Sequence, residues 1–329
     1  MGLLDRVPGS DLADSVSCLR LFPIKSCQEA TSDGAPITTL EVGPTGFHLG
    51  EVVDRGWVLV DSDDTFVSQR GWDQRRARKH RDDRKLAAVA VDVRHDHLHL
   101  AAGAHGEVVV PFGAVGEPRV RLRLWGDEVA ATEESETSSA FFSSLLSRRV
   151  RLTKVDLRQP RWLPGTMRRD GAANRCAAAD VTPMSLVSQS SLDHLHDLAG
   201  EPRGSLPLDR FRANIDIPGA AFGPFGEDRL RRVRIGDLDA HVVKAILRCP
   251  VPNIDQRTGE DSLRLATRLL VPRLGWVKGG EGRRALQAFG QALNHVCSAE
   301  PSVSVKVGDP VLPTDVGEPN LTLKHEPPG

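Results

Sequence analysis

The chain has 329 residues, 40% hydrophobic and 26% charged, with a formal net charge of −1. The length exceeds one ordinary core and predicts two domains. The composition excludes a chain disordered over most of its length, and the balanced charge excludes a general drive toward nucleic acid or an anionic membrane.

The opening stretch, MGLLDRVPGSDLADSVS, lacks the unbroken apolar core of a signal peptide. No run reaches the roughly 18 consecutive apolar residues of a spanning helix. A cytoplasmic protein without a membrane or nucleic-acid partner is expected. Cys18, Cys27, Cys176, Cys249 and Cys297 are odd in number and form no CxxC pair. A disulfide framework is therefore not expected, which leaves a cysteine free for thiolate chemistry.

Residues 1–15 read as a loose terminus. From Ser17 short β-type runs follow one another: VSCLRLFPIKS, ITTLEV and GWVLVDSDDTFVSQR, separated by Gly, Asp and Pro. LAAVAVDV and HLHLAA predict a hairpin, and VRLRLWGDEVAAT predicts a second one turning near Gly126-Asp127. SSAFFSSLLSRR places Phe141, Phe142, Leu145 and Leu146 on one helical face, and RVRLTKVD returns to strand. This first part, 16–156, is expected to be an antiparallel β-barrel or α+β domain.

Residues 157–180 are polar, basic and turn-rich, as in a mobile boundary or an active-site loop. The second domain is expected over 181–315, with a tail at 316–329. It opens on a helix with a Leu192, Leu195, Leu198 stripe, a cap at Ser190 or Ser191, and an end at Gly200. Strands are expected at RANIDI, RRVRIGD, DAHVVKAILR and SVSVKVGDPVLP, and a helix at 283–297 with Leu286, Phe289, Leu293 and Val296 in register. The predicted class is mainly β: a β-barrel-like core with a few helices.

Several segments carry chemistry. In FPIKSC, Lys25 and Ser26 follow a proline that fixes the chain, and a cation beside a hydroxyl suits an anionic group. Arg55 lies beside an apolar strand and needs Asp54 or a ligand phosphate; Arg70 in FVSQR poses the same question. The serines of SQSSL stand at a helix start, where they cap the free N–H groups or help hold an anion. In RFRANIDI, Arg212 and Asn214 would share a strand face, fit to clamp a phosphate or read a heterocycle edge. Cys249 ends an apolar strand beside Arg248, a setting that suits a nucleophile or a soft-metal ligand; a buried inert thiol is the simpler alternative. His95, His97 and His99 alternate on the hairpin expected there, more as its wet side than as a zinc site.

Their order is more informative than any one of them. FPIKSC, DRGWVLVD, FVSQR, SQSSL, FRANIDIPG, GEDRL, IGD, RCPVPNIDQRTG and KVGDPV together resemble the MOSC proteins with an N-terminal MOSC β-barrel domain. The pattern is similar to the amidoxime-reducing branch of that family, from about Ser17 to Leu312. The resemblance implies a molybdenum cofactor, with Cys249 as thiolate ligand to the metal. It implies that Lys25, Ser26, Arg55, Arg212 and Asn214, with Ser188 and Ser191, hold the pterin and its phosphate. Neither pyridoxal phosphate nor an iron–sulfur cluster is expected in this chain. The implied activity is reduction of small N-hydroxylated substrates. Electrons would come from a separate donor of ferredoxin, flavoprotein or cytochrome type, and Asp255 would relay protons. A non-redox carrier of cofactor or sulfur, with Cys249 as sulfur acceptor, is the alternative.

This chain departs from that pattern at Leu247, where many relatives have Cys, at Ala213 in place of Pro, and at Leu230 in place of Trp. These departures stand beside the implied cofactor contacts. They bear on the substrate more than on the cofactor.

Overall fold

Alternation writes the first-half strands. In Val120–Leu124 the valine and leucines are buried and Arg121 and Arg123 are exposed. The strand turns through Trp125 (φ 54°) and Gly126 (φ 96°), and Leu124 then faces Asp127 across an antiparallel pair. Two residues at positive φ make the tight hairpin predicted there. The computed structural model describes residues 13–73, 78–113, 120–262, 264–274, 276–279, 282–285, 288–297 and 303–320.

Val120–Leu124, Asp127–Glu133, Arg151–Val155 and Trp57–Val60 form one sheet, and Trp57–Val60 is buried along its whole length. Ala90–Val93 and His97–Ala101 form the other predicted hairpin, inside a five-stranded sheet. His97 and His99 lie on its half-buried face beside Asp96 and Glu107, while Leu98 and Leu100 enter the core. The helix Glu136–Leu145 starts at Ser135, whose hydroxyl accepts from the Ser138 amide at 3.2 Å. It buries Phe141, Phe142 and Leu145 as its spacing predicts.

The second half is organised by an eight-stranded sheet. Its order is Asp14–Ser15, Pro310–Val316, Leu230–Ile235, Leu238–Leu247, Ala288–His295, Met184–Ser188, Ile215–Ile217 and Cys18–Leu19. The two edge strands come from the start of the chain. In return, Val303–Lys306 pairs with Thr39–Gly43 in the sheet completed by Gly46–Leu49 and Val52–Val53. The chain thus crosses the 157–180 connection in both directions. The class is mostly β, with barrel-like sheets and few helices.

Three expectations are corrected. The helix at 283–297 is instead two strands, Gly282–Ala285 and Ala288–His295. Ala288–His295 lies in mid-sheet, with all eight residues buried, so it has no wet face to impose alternation. Gly290, at φ 76°, bulges it, and a Cβ there would meet the Leu186 carbonyl oxygen at 2.6 Å. Leu286 lies outside the described residues.

The helix Gln189–Ala199 forms and ends at Gly200 (φ 66°), but Leu198 is 49% exposed and His196 takes the inward place. The His196 Nδ1–H donates to the Leu192 carbonyl, and Nε2 accepts from the Leu206 amide at 3.2 Å. No serine hydroxyl caps this helix.

Residues 157–180 are more tightly held than a mobile connection would be. Arg161–Trp162 pairs antiparallel with Arg175–Cys176. Buried Arg161 holds Asp127 at 2.6 Å and the Ala179 carbonyl at 2.8 Å. The Ala173 amide donates to the His295 carbonyl at 3.0 Å.

His295 ends the central strand in the interior. Burial pushes its imidazole down to about 4, against the pull of the Gly43 backbone. The folded value thus lies below the ordinary 6.5. The resulting stability is complete above that ordinary value and is lost as pH falls through 6.5 toward 4. Urea unfolding between pH 7 and 4 is expected to show a loss of up to about 3 kcal/mol that His295→Gln removes. An unchanged pH profile in that variant would refute the assignment.

Candidate functional site

Where the two halves meet, residues from both line one cavity of about 210 Å³. The first contribution is Lys25-Ser26. Ile24 bridges to Trp57, and the chain then turns sharply, with Ser26 at φ 78°. Lys25 Nζ donates to the Ala178 carbonyl at 3.0 Å and pairs with Asp180. Burial lowers the Lys25 ammonium, although Asp180 opposes the shift. Desolvation works to raise the Asp180 carboxyl, yet Lys25 and the Trp125 indole N–H hold it well below the usual range.

The second contribution is Asp54-Arg55. Asp54 is 2% exposed and accepts from the Phe22 amide at 2.9 Å and from Asn214 Nδ2 at 3.1 Å. It also pairs with Arg55, whose Nη2 donates to the Arg212 carbonyl at 3.0 Å. Arg55 and Arg212 both lie over the Phe22 ring, at 4.7 and 4.4 Å from its centroid. Burial, with Arg55 adjacent, pushes Arg212 down to about 10; its Nη1 donates to Gln256 Oε1 at 2.8 Å.

The third is Arg248-Cys249, at the end of Leu238–Leu247. Arg248 donates to the carbonyls of Phe289 and Phe211, each at 2.8 Å, and burial pushes it down to about 10. The bulge at Gly290 leaves room for this guanidinium: a Cβ there would stand 3.1 Å from Arg248 Nη2. Half-buried Cys249 follows, beside Leu247, Val251 and Pro252 in the cavity wall.

The charge balance defines the ligand class. Six cations line the cavity (Lys25, Arg55, Arg70, Arg210, Arg212 and Arg248) against one lining carboxylate, Asp180. Among the described residues, Arg70 Nε, Arg210 Nη1 and Arg248 Nη2 are buried without a hydrogen-bond partner. Buried guanidiniums keep their charge, so orphaned donors of this kind suit an anion with several acceptor oxygens. A neighbouring sulfur adds a soft ligand. The donor set therefore fits a phosphorylated cofactor that carries a soft metal. Among the described residues, no group of three or more His, Cys, Asp or Glu side chains is placed to hold a metal ion.

Of the residues singled out in the sequence, Lys25, Ser26, Arg55, Arg212, Asn214 and Cys249 all line this cavity. Arg212 and Asn214 do so differently from the expectation. Arg212 ends a short 3-10 turn at φ 52°, and the strand begins only at Ile215. Ser188, Ser191 and Asp255 do not line it. Ser188 and Ser191 are fully buried. The Ser188 hydroxyl meets that of Ser190, which donates to the Gly219 carbonyl, while Ser191 donates to Glu227 and accepts from the Phe225 amide. Asp255 accepts from the Arg257 and Thr258 amides and pairs with Arg210 at 2.6 Å. Its carboxyl lies below the usual range because those amides and Arg210 outweigh desolvation. Ser185, Gln69, Trp125 and Asp180 also line the cavity, and no sequence signal marked them.

This fold and this cavity belong to a defined class. Residues 173–312 match the MOSC domain and residues 13–149 the MOSC N-terminal beta barrel domain; the chain is a MOSC-domain protein that carries that N-terminal barrel. It is 26% identical to the mitochondrial amidoxime-reducing component 1 of Mus musculus, over 74% of this chain and 67% of that protein. Against the component 1 of Homo sapiens it is 24% identical over 90% of this chain and 82% of the relative. It is also 26% identical to the molybdenum cofactor sulfurase of Homo sapiens, over 91% of this chain but 32% of that longer protein. No helix among the described residues is long and apolar enough to cross a membrane.

Proposed function

We propose that this cavity binds the molybdenum cofactor through Cys249, and that the protein reduces small N-hydroxylated compounds with electrons from a separate redox partner. The observation that carries the reading is the convergence of six cations, three of them with orphaned N–H groups, on the cavity that Cys249 lines. The relatives named as amidoxime-reducing components support the substrate class. A reducing cytoplasmic setting, which keeps Cys249 a free thiol, suits it as well.

When bound, the cofactor supplies the two-electron chemistry that splits the N–O bond. The chain's residues bind and orient. Lys25, Ser26, Arg55, Arg212 and Asn214 would hold the phosphate and pterin by charge-assisted hydrogen bonds. Cys249 would supply the thiolate. Ser188 and Ser191 would act indirectly, Ser188 through the Ser190 hydroxyl that holds the Gly219 carbonyl and Ser191 by holding the Phe225 amide. Asp255 would hold Arg210 in the wall from behind.

Similarity to a molybdenum cofactor sulfurase over most of this chain favours a second reading, a carrier of cofactor or sulfur without turnover. One experiment separates the two. The protein is made in a host that synthesises the cofactor, its molybdenum is measured, and benzamidoxime reduction is followed with reduced methyl viologen. About one molybdenum per chain with turnover is expected, on the single thiolate ligand available. Bound metal without turnover would establish the carrier. Absence of metal would overturn both.

A further inference from the structure

The hairpin at 157–180 carries an exposed aromatic that the cavity does not use. Trp162 is 52% exposed. The Arg168 and Arg175 guanidiniums stand 5.5 and 4.4 Å from its ring centroid. Among the described residues the partners of Arg168, Arg169 and Arg175 are carbonyls and the Trp162 ring rather than carboxylates. Arg168 donates to the Leu163 carbonyl, and Arg169 to the carbonyls of Thr166, Arg168 and Val243. Arg169 also lines a groove with Arg232, so the basic strip continues onto the large sheet, where Asp315 is the single lining carboxylate. Exposed Asp170 follows Arg169 in the turn, so the strip is predominantly basic rather than of one sign. Tryptophan and arginine are the side chains that anchor protein interfaces, and a basic surplus selects a partner of opposite charge.

We propose that this face, centred on Trp162, is the docking surface of an acidic one-electron carrier protein that serves the Cys249 cavity. The proposal rests on the reading of that cavity as a reductase site. What links the two is the chain itself. Arg161, next to Trp162, donates to the Ala179 carbonyl at 2.8 Å, and Ala179 and Asp180 line the cavity. Arg175 is five residues from Asp180, so their Cα atoms are at most about 18 Å apart even along an extended chain. A carrier seated over Arg175 therefore lies within about 18 Å of the cavity wall at Asp180. The step balances as R–NHOH + 2e⁻ + 2H⁺ → R–NH₂ + H₂O. Two carrier molecules each lose one electron, and solvent supplies the protons.

The probe is a plant-type [2Fe–2S] ferredoxin, an acidic one-electron donor, compared with methyl viologen on the molybdenum-loaded protein. The variants are Trp162→Ala and the double charge reversal R168E/R175E. Ferredoxin-driven kcat/KM is expected to fall at least tenfold in the double variant and severalfold in Trp162→Ala, with viologen-driven turnover within twofold of the parent. Ferredoxin-driven turnover equal to the parent in both variants would overturn the proposal. Ferredoxin binding is measured in parallel by calorimetry at low salt, which is independent of turnover. If viologen drives no turnover in the parent, the reductase reading fails; binding lost on charge reversal would still support the docking surface, and absence of binding to the parent would overturn it. An exposed tryptophan among arginines also suits a stacked base. Binding of single-stranded oligo(dT), abolished by Trp162→Ala while ferredoxin binding persists, would therefore overturn the proposal.

Discussion

Replacing Cys249 with alanine is expected to abolish amidoxime reduction and strip the molybdenum while leaving the fold intact. Loss of a residue that only supports a metal ligand costs 10–100-fold in affinity or activity, so loss of the ligand itself is expected to cost more than about 100-fold. The fold should survive because Cys249 is half-buried just past a strand end. Its sulfur fills no core position, and a change of under about 1 kcal/mol in unfolding free energy is expected. Cys249→Ser keeps the shape but offers a hard oxygen in place of a soft sulfur. It should retain the fold and fail to restore turnover. Molybdenum content, turnover and urea unfolding are read together. Full activity in Cys249→Ala would refute the ligand role, whereas lost activity with lost stability would refute the claim that the residue is functional rather than structural.

The second large effect is expected at Asp54. This carboxylate is 2% exposed and joins three segments: the Phe22 amide before Lys25-Ser26, Arg55, and the Asn214 amide group. Removing it leaves Arg55 in the interior without its counter-charge. Breaking a buried ion pair on one side costs about 3–5 kcal/mol, because the remaining charge stays desolvated. Asp54→Ala is therefore expected to lose about that much stability and to lose cofactor retention with it. Asp54→Asn keeps an acceptor for one neighbour but turns an N–H toward another, so an intermediate loss is expected. Urea midpoints and metal content check both variants. A loss below about 1 kcal/mol in Asp54→Ala would show that water reaches Arg55 and that the junction is not dry.

How much of this was legible in the sequence depended on whether a residue's neighbours were close along the chain. The hairpins at 90–101 and 120–133 and the helix after Ser135 follow from alternation, turn residues and spacing, all of them local. The strand Ala288–His295 hid because burial on both faces erased its alternation. Lys25, Arg55, Arg212, Asn214 and Cys249 stood out as cations, an amide and a thiol where an extended chain seldom leaves them unexplained, and they line one cavity. Ser188 and Ser191 misled because a hydroxyl at a helix start satisfies turn groups as readily as it meets a ligand. Here the Ser188 hydroxyl is taken up by Ser190, and Ser191 by Glu227 and the Phe225 amide, groups that are over 30 residues away. Asp255 misled similarly: its bonds to the next turn and to Arg210 occupy it. Asp180 and Trp125 gave no signal, because only the fold brings them to Lys25 and Arg70.

The exchange of strands between the halves bears on how the protein comes to exist in a cell. Thr39–Gly43 has no neighbour on one side until Val303–Lys306 arrives, and Asp14–Ser15 and Cys18–Leu19 wait for partners near residues 310 and 216. Ribosomal synthesis delivers all of those partners after the first half, two of them near its end. The first half must leave the ribosome with open strand edges, which are sticky templates for other chains. Pairings this remote in sequence also form slowly. Expression at low temperature or with chaperones is therefore expected to raise the soluble yield, and a chain cut after residue 156 is expected to aggregate.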